Sequence, residues 1–454
     1  MRSAERCHKI RIVALAAAVT AIAMLPSRSA FAITSFARQT GLPCSSCHTI
    51  PPELTPFGRA FKLNGYTLTG LPQVTAKASH QQVGLSINRE LPVAVAIPLS
   101  FTSTATAVPG TQNGSFSIPQ EIGLYFSGAI ASHVGTFTQI TYDPRADHIS
   151  LDMFDARYAN RTTVGGKSLV YGVDFSTAPT GEDLWNNTPM WGFPWIGSDA
   201  APGQMAATLV DNTLDNDVGG IGFYGMWNDH LYGDFTAYRT AHLGADQPTD
   251  GAGFPYNVRG VAPYWRAAWQ QTMGNNYLEV GTYGLHVDST PESIAGPEDH
   301  YTDVAFDGQY ERILPTLANN TISVHTTYIH ERSQLDATYG LGGAAFPNHT
   351  LNTYRLDGTY HWGNEYGATF GYFNTWGTAD PMLYAADPVD GSANGSPKTD
   401  GYTAQFAWWP VQNVDLTIQY TGYFNFNGRS INYDGAGRNA SNNNTVYARV
   451  WFIF

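Results

Sequence analysis

A regular alternation of apolar and polar residues recurs along most of this 454-residue chain, and it restricts the possible folds more than any other feature. In YRLDGTYHW (354–362), Tyr, Leu, Gly, Tyr and Trp fall on one face, and Arg, Asp, Thr and His fall on the other. The stretch VDLTIQYT (414–421) divides in the same way. Because successive side chains of a β-strand point to opposite faces of a sheet, this period of two predicts strands with one apolar face.

About sixteen such segments can be counted, and the connections between them are sorted by length. The segments lie near 92–106, 118–132, 135–143, 148–160, 168–176, 215–227, 230–240, 259–272, 275–287, 301–313, 320–331, 350–362, 365–377, 400–409, 413–425 and 443–454. Connections after even-numbered segments are short, such as 132–135 and 362–364, whereas many after odd-numbered segments are long, such as 177–214 and 378–399. A soluble β-sandwich has no reason to sort its loops in this way, but outer-membrane barrels do. The sequence therefore predicts an all-β fold, a transmembrane antiparallel β-barrel of about 16 strands.

The end of the chain and its low charge agree with a barrel in an outer membrane. The last segment has one apolar face, formed by Val446, Ala448, Val450, Phe452 and Phe454. This face ends in a terminal phenylalanine, as the last strand of bacterial outer-membrane proteins does. Charged residues make up 13% of the chain, against roughly 25% in soluble domains. Because an even strand count places both termini on the short-turn side, we expect periplasmic termini and extracellular long loops.

The sequence also predicts where three groups of side chains lie in this barrel. Tryptophans near strand ends, which suit a membrane interface, are Trp362, Trp408, Trp409 and Trp451. Acidic residues of the long loops, whose field would attract cations, are Glu182, Asp183, Asp199, Asp288, Glu292, Glu298, Asp299, Asp380, Asp387 and Asp390. Polar residues facing the lumen, among them His325, Arg355, Asp357 and His361, are the normal lining of a barrel this wide.

The first 32 residues have the pattern of an export signal. A basic start is followed by an apolar run from Ile12 to Leu25 and by the cleavage site Ala30-Phe31-Ala32. The apolar run is shorter than the roughly 20 residues of a spanning helix. Cleavage removes five basic residues and one acidic residue from totals of 24 and 37, which leaves 19 against 36 and a formal charge of −17. We expect no nucleic-acid partner for so acidic a chain.

The exported chain keeps two cysteines, and both lie in the motif Cys44-Ser-Ser-Cys47-His48. This C-x-x-C-H pattern is typical of c-type haem attachment, in which both thiols form thioethers and the histidine becomes the proximal iron ligand. A structural zinc site would need two more ligands, a thioredoxin-like pair would need a βαβ context, and a labile disulfide would not explain His48. We therefore expect one covalent haem c, anchored by Cys44 and Cys47 with His48 on the iron.

One short helix is predicted just after the motif, in TPFGRAFKLNG. Thr55 can cap it, Pro56 suits its first position and Gly65 suits its end. Arg59 and Lys62 on this helix are candidates for binding the haem propionates, with exposure to solvent as the alternative for both.

The second axial ligand of the iron is left open. Between residues 49 and 152 there is no methionine, and the histidines there are His80, His133 and His148. His80 ends the haem segment, and Met153 lies on the lumen face of its predicted strand. His80 or Met153 is thus a possible distal ligand, with a solvated linker histidine and a packing methionine as the respective alternatives.

The stretches FARQTGLPCSSCHT (36–49) and PELTPFGRAFKLNGYTLTG (52–70) resemble a known family. They are similar to the N-terminal segment of the fused monohaem cytochrome c–porins of bacterial outer membranes, the iron-oxidising outer-membrane cytochromes. The match covers roughly 35 residues, and beyond it only the strand pattern and length agree. The resemblance implies a haem segment seated in, or plugging, the barrel. It also implies extracellular Fe(II) as electron donor and a periplasmic cytochrome or other carrier as acceptor.

These observations divide the chain into a signal peptide (1–32), a monohaem cytochrome c segment or plug (33–80) and an outer-membrane barrel (81–454). The leading hypothesis is an electron-transfer protein that carries electrons from an extracellular donor, with Fe(II) favoured, through one haem to a periplasmic carrier. Whether it is an enzyme, as an oxidoreductase of the Fe(II):cytochrome c type, stays open. The alternatives are a haem-plugged porin or diffusion channel, and a haem redox enzyme acting on a small molecule. In each case the barrel contacts outer-membrane lipid.

Overall fold

The structure is a computed structural model, and it describes residues 35–68, 73–76, 85–88, 91–214, 217–240, 257–291, 296–317 and 320–454. The predicted export signal, His80 and Glu292 lie outside the described residues.

In the described part of the chain, sixteen antiparallel strands close into one barrel. They are β1 (Val93–Thr104), β2 (in three pieces, Ser115–Ser117, Ile122–Phe126 and Gly128–Ala131), β3 (Val134–Asp143), β4 (His148–Val164), β5 (Lys167–Ser176), β6 (Val218–Trp227), β7 (Leu231–Thr240), β8 (Asn257–Val258 and Ala262–Met273), β9 (Asn276–Thr290), β10 (Asp299–Leu314), β11 (Asn320–Gln334), β12 (Asn348–Trp362), β13 (Tyr366–Gly377), β14 (Thr399–Val411), β15 (Val414–Asn425) and β16 (Thr445–Ile453). Each strand pairs with its neighbours in the sequence. The predicted barrel and its strand number are confirmed.

The barrel closes between its first and last strands. β16 pairs with β1, from Thr445 opposite Thr104 to Ile453 opposite Ala96. At the end of this seam, the Val95 N–H donates to the Phe454 carbonyl at 2.6 Å, and the Phe454 N–H donates back at 2.9 Å. Closure leaves no open sheet edge, and an open edge could not satisfy its backbone groups in lipid.

The apolar face of the strands points away from the lumen. On β12, Leu356 and Trp362 are 39% and 43% exposed, whereas Asp357 and His361 are 6% and 1% exposed. On β15, Ile418 is 53% exposed. An apolar exterior around a polar interior reverses the arrangement of a soluble protein and is the arrangement of a barrel that spans a membrane. Within the described residues, no helix is both long and apolar enough to cross a membrane.

Two segments fold into the lumen. The first is the N-terminal segment, residues 35–68, which contains the helices α1 (Ser35–Thr40), α2 (Cys44–Cys47) and α3 (Pro56–Leu63). The second is the lumen loop, residues 177–214, which contains the 3-10 turn Pro189–Trp191 and the π turn Leu209–Thr213. The remaining elements are α4 (Asp336–Gly340), the 3-10 turns Pro315–Leu317 and Ala440–Asn443, and a two-stranded sheet of Gln73–Ala76 with Leu85–Asn88. The N-terminal segment thus has two short helices besides the predicted one.

Four of the acidic loop residues do not belong to the exposed field that the sequence predicted, whereas Asp199, Asp387 and Asp390 are exposed. Glu182, Asp183, Asp299 and Asp380 are at most 2% exposed. Asp183 lies 3.1 Å from the guanidinium of Arg266, and Asp299 and Asp380 accept hydrogen bonds from main-chain N–H groups. The prediction was wrong for these four because their loops fold back onto the protein, where a buried carboxylate needs partners.

Candidate haem site in the barrel lumen

The C-x-x-C-H motif forms one compact turn. α2 begins after Pro43 and ends at His48, whose N–H donates to the Cys44 carbonyl at 2.9 Å. Residues three apart lie on the same side of a helix, so Cys44 and Cys47 present their thiols together. Both are free cysteines of intermediate burial. The turn therefore brings together the three groups that covalent haem attachment uses.

Helix α3 packs directly on this turn. The Thr55 hydroxyl accepts a hydrogen bond from the Gly58 N–H at 3.2 Å, Pro56 is the first helical residue, and Gly65 follows the helix with φ +66°. The predicted start and end are confirmed. A Cβ on Gly58 would lie 2.2 Å from the Cys47 carbonyl oxygen, so only glycine allows this approach.

A cavity of about 470 Å³ lies between the N-terminal segment, the lumen loop and the barrel wall. It is lined by Phe36, Cys44, Cys47, His48, Phe61 and Tyr66 of the N-terminal segment, Met190, Trp191 and Trp195 of the lumen loop, and Tyr125, Phe137, Trp409, Arg449 and Trp451 of the wall. Small-molecule sites have volumes of roughly 300–1,000 Å³ and mainly apolar linings. The size and lining therefore suit a porphyrin.

The cavity occupies the short-turn half of the lumen. Among its lining residues, Gln412 lies in the turn between β14 and β15, Ile453 ends β16, and Ala94 is the second residue of β1. Since the short turns are on the side of the chain termini, this is the predicted periplasmic half.

The hydrogen bond of His48 is compatible with its predicted role as an iron ligand. Its Nδ1 lies 3.2 Å from the main-chain carbonyl of Glu53. A carbonyl oxygen only accepts, so Nδ1 carries the proton and Nε2 keeps its lone pair, as in histidines that ligate metals. Burial lowers the pKa of His48 to about 4, against hydrogen bonds to the carbonyls of Glu53 and Pro52 that raise it. The imidazole is therefore neutral near pH 7, the form that binds a metal.

Two buried donors of the cavity wall have no hydrogen-bond partner among the described residues. They are Arg449 Nε and Trp409 Nε1. The guanidinium of Arg449 lies 4.9 Å from the Trp451 ring, which contacts Trp409 edge to face at 6.0 Å. Such orphaned donors are costly unless an acceptor reaches them. A haem carries two propionate carboxylates, which could accept hydrogen bonds from these donors. The donors, the two thiols and His48 therefore all fit a haem in this cavity.

The predicted position at the membrane interface is wrong for two of the four tryptophans. Trp409 and Trp451 line the cavity and do not face lipid. Trp451 lies on the face of β16 opposite the outward-pointing residues. Trp409 directly follows Trp408, beside a register shift between Trp408 and Val411. Trp362 is 43% exposed, in agreement with the prediction.

Arg59 does not line the cavity and lies between the N-terminal segment and the barrel wall. Its guanidinium donates to the Leu54 carbonyl at 2.7 Å, pairs with Glu311 of β10 and stacks 4.1 Å from the Tyr277 ring. It is 5% exposed, so the solvent-facing alternative is wrong. Its predicted role at a propionate stays a prediction, but its donors are directed at Glu311 and not toward the cavity.

Lys62 lines the cavity, but it also holds the lumen loop. Its Nζ donates to the carbonyls of Gly181 and Asp183 at 2.9 and 2.6 Å and to Asn186 Oδ1 at 3.0 Å. Burial, followed by the charge of Arg157, lowers its pKa to about 7. The residue is 4% exposed, so solvent exposure is wrong here too. Three acceptors occupy its three protons, and its role at a propionate likewise stays a prediction.

Of the two predicted distal-ligand candidates, only Met153 is described. It faces the lumen as expected and is 1% exposed. Its Cε lies 2.9 Å from the position that a Cβ on Gly181 would take, and it is not a lining residue of the cavity. The methionine that lines the cavity is Met190, which the sequence placed in an extracellular loop. The one sequence signal was the apolar, aromatic stretch PMWGFPWI (189–196), which is unusual for such a loop.

Glu53 ties the N-terminal segment to the opposite wall. Its carboxylate lies 3.0 Å from His361 Nε2 and 3.7 Å from His325 Nδ1, and it accepts hydrogen bonds from Ser323 and Thr49 at 3.1 and 2.8 Å. Burial alone would raise the pKa of Glu53, but His361, His325 and the hydrogen bond from Thr49 lower it to about 2.

The same cluster includes a group whose spacing would suit a metal ion. Glu53, His325 and Asp357 place ligand atoms within 4.8 Å of one another. His325 Nδ1 is already 3.0 Å from Asp357, so a buried ion-pair network accounts for the arrangement.

The closed sixteen-strand barrel with an apolar exterior defines the chain as an outer-membrane β-barrel protein. No protein-family model matches the chain, and no curated protein matches it. Among solved structures, it is similar to the outer membrane channel DcaP of Acinetobacter baumannii, with 12% identity over 80% of this chain and 97% of that one and a TM-score of 0.46. Salmonella typhi OmpF in complex with daunomycin matches at 10% identity, 80% and 98% coverage and a TM-score of 0.46. An anion-selective porin from Comamonas acidovorans matches at 11% identity, 80% and 98% coverage and a TM-score of 0.45.

Proposed function

We propose that this protein transfers electrons across the outer membrane through one c-type haem held in the barrel lumen. One observation carries the proposal. The cavity in the short-turn half of the barrel is lined by Cys44, Cys47 and His48 together, and the Nδ1 of His48 is hydrogen-bonded to the main-chain carbonyl of Glu53.

The residues have distinct roles in this proposal. The thiols of Cys44 and Cys47 form the thioether bonds, and His48 ligates the iron. Trp191 and Trp195 of the lumen loop line the cavity and would restrict the access of water to a haem held there. A haem bound there supplies one-electron chemistry.

The proposed donor is an extracellular one-electron reductant such as Fe(II), which becomes Fe(III) as it gives up one electron. The acceptor is a periplasmic carrier that gains the same electron. The apolar band of such barrels is about 25 Å tall. A site in the short-turn half is therefore close to the periplasmic carrier, and the longer path lies on the side of the donor.

The test uses full-length Cys47→Ala and His48→Ala variants expressed in cells. We expect Cys47→Ala to weaken or abolish covalent haem staining and His48→Ala to change the haem spectrum, with loss of Fe(II) oxidation by whole cells in both. The barrel should still show the heat-dependent gel shift of folded outer-membrane proteins. Ser45→Ala, inside the motif but without a role in attachment, is the matched control. Unchanged Fe(II) oxidation in a variant that has lost covalent haem staining would refute the proposal.

A diffusion channel is the second candidate, because a barrel of sixteen strands is wide enough for a solute path. The N-terminal segment and the lumen loop contribute many buried residues to the lumen, including Phe61, Leu63, Leu184 and Trp185. On the electron-transfer proposal, liposomes containing the intact protein should not swell in small sugars. Swelling at porin-like rates would favour the channel.

A further inference from the structure

We infer that Met190 of the lumen loop is the distal ligand of the haem iron, opposite His48. This inference rests on the proposed function, because it requires a haem in the cavity. Met190 takes the place of the two earlier candidates: His80 lies outside the described residues, and Met153 does not line the cavity.

The chemistry of the lining leaves few alternatives. Among the described residues that line the cavity, His48 is the only histidine and Met190 the only methionine. A thioether paired with a histidine is the ligand set of cytochromes c. The Lys62 ammonium already has three acceptors, and the Tyr66 hydroxyl donates to Asp155 at 2.5 Å. Glu121 and Tyr125 of the barrel wall carry oxygen atoms that could ligate iron, and the experiment distinguishes them from Met190.

The lumen loop holds Met190 in a defined position. Met190 is the middle residue of the 3-10 turn, and its N–H donates to the Thr180 hydroxyl at 3.2 Å. The carboxylate of Asp183 accepts the N–H groups of Asn187 and Thr188 at 2.7 and 3.1 Å. These bonds order the loop on both sides of the ligand.

The loop is also bound to the segment that carries His48. Asn186 Nδ2 donates to the Pro52 carbonyl at 2.8 Å, and Lys62 donates to two loop carbonyls from the other side. The two axial ligands thus come from two pieces of chain that pack as one body, which keeps them in a fixed relation.

The experiment compares purified full-length wild type with Met190→Leu, a change of similar volume that removes the sulfur. We expect the ferric wild type to show the weak long-wavelength sulfur-to-iron charge-transfer band, and the reduced wild type not to bind CO. Met190→Leu should lose the band, bind CO when reduced, and have a lower midpoint potential. Met153→Leu, a buried lumen methionine outside the cavity lining, is the matched control and should match wild type.

A Met190→Leu protein with an unchanged spectrum and no CO binding would overturn the inference and point to Glu121 or Tyr125. If Met190→Leu does not assemble, Met190→His provides a second measurement. We expect that variant to have a two-imidazole spectrum, and a wild-type spectrum would again refute the ligand. A wild type without covalent haem would instead refute the proposed function.

A separate observation supports a second inference, which also rests on the proposed function: Arg449 and Trp409 hold the haem propionates. Both residues line the cavity, and each has a buried donor nitrogen without a hydrogen-bond partner among the described residues, Arg449 Nε and Trp409 Nε1. The Nη2 of Arg449 is held by Asp415, which does not line the cavity, and Glu121 is the one acidic side chain among the described lining residues. A propionate oxygen supplies the acceptor that the two donors lack.

Trp409→Phe keeps the ring and removes the donor, so it is the main test. We expect resonance Raman spectra of the full-length protein to show a shifted propionate bending mode in Trp409→Phe and in Arg449→Lys. Arg59→Lys, which changes the candidate that does not line the cavity, should leave this mode unchanged. The inference fails if Trp409→Phe leaves the mode unchanged, or if Arg59→Lys shifts it equally.

Discussion

Replacement of Glu53 by glutamine should loosen the N-terminal segment from the barrel wall. The carboxylate is 5% exposed and contacts His361 and His325 of β12 and β11. Glutamine keeps the shape and some hydrogen bonds, but it removes the charge that these histidines face. The perturbation therefore tests the ion-pair network and not the volume of the side chain.

The size of the effect follows from the pKa of Glu53, which falls from 4.5 to about 2. One pKa unit is worth 1.36 kcal/mol, so the charged form gains about 3 kcal/mol of interaction in the folded state. The loss of one partner of a buried pair has a similar cost. Because the folded pKa is depressed, this contribution is present above pH 4.5 and is lost as the pH falls toward 2.

Hydrogen exchange of the full-length protein, read by mass spectrometry on peptides from residues 35–68, measures this docking. A loss of about 3 kcal/mol corresponds to roughly 100-fold faster exchange if exchange requires release of the segment from the wall. Peptides from the barrel strands should not change. Glu298→Gln, which breaks a partly exposed pair with Arg259 at 2.8 Å, is the matched control and should change exchange little. Less than threefold acceleration in Glu53→Gln would refute the network as an anchor.

Three further predictions concern the segment and the seam. Gly58→Ala should displace α3 from the Cys44–His48 turn, because its Cβ would lie 2.2 Å from a main-chain carbonyl. Overpacking of about 1–3 kcal/mol exceeds the roughly 1 kcal/mol gain in helix propensity. Faster hydrogen exchange in α3 would show this, while Gly233→Ala, with no atom within 4 Å of the new Cβ, should leave exchange unchanged. Deletion of Phe454 removes both backbone hydrogen bonds to Val95 and should reduce the folded fraction in gel-shift assays, and wild-type yield would contradict that role. Deletion of residues 35–68 should raise the single-channel conductance of the barrel in planar bilayers, and an unchanged conductance would show that the lumen loop alone blocks it.

Most of the barrel could be predicted from the sequence, because strand periodicity and turn length are local properties. The sixteen alternating segments correspond to the sixteen strands. The alternation of short and long connections was enough to predict that both ends of the barrel lie on the short-turn side. The turn chemistry of Thr55, Pro56 and Gly65 was enough to predict α3, because capping and glycine termination act within one helical turn.

The completion of the candidate site depends on contacts between distant parts of the chain. The alternation of β16 puts Trp451 on the face opposite Val450 and Phe452, but its place near the strand end suggested a membrane interface. The tertiary structure shows that this face lines the cavity. Met190 and Arg449 lie 142 and 401 residues after His48 in the sequence, and they meet it at one cavity only because the lumen loop folds inward and the barrel closes. The C-x-x-C-H motif by itself determined which chemistry to expect. The tertiary structure decided which wall and loop residues surround that chemistry, because long-range packing has no local signature in the sequence.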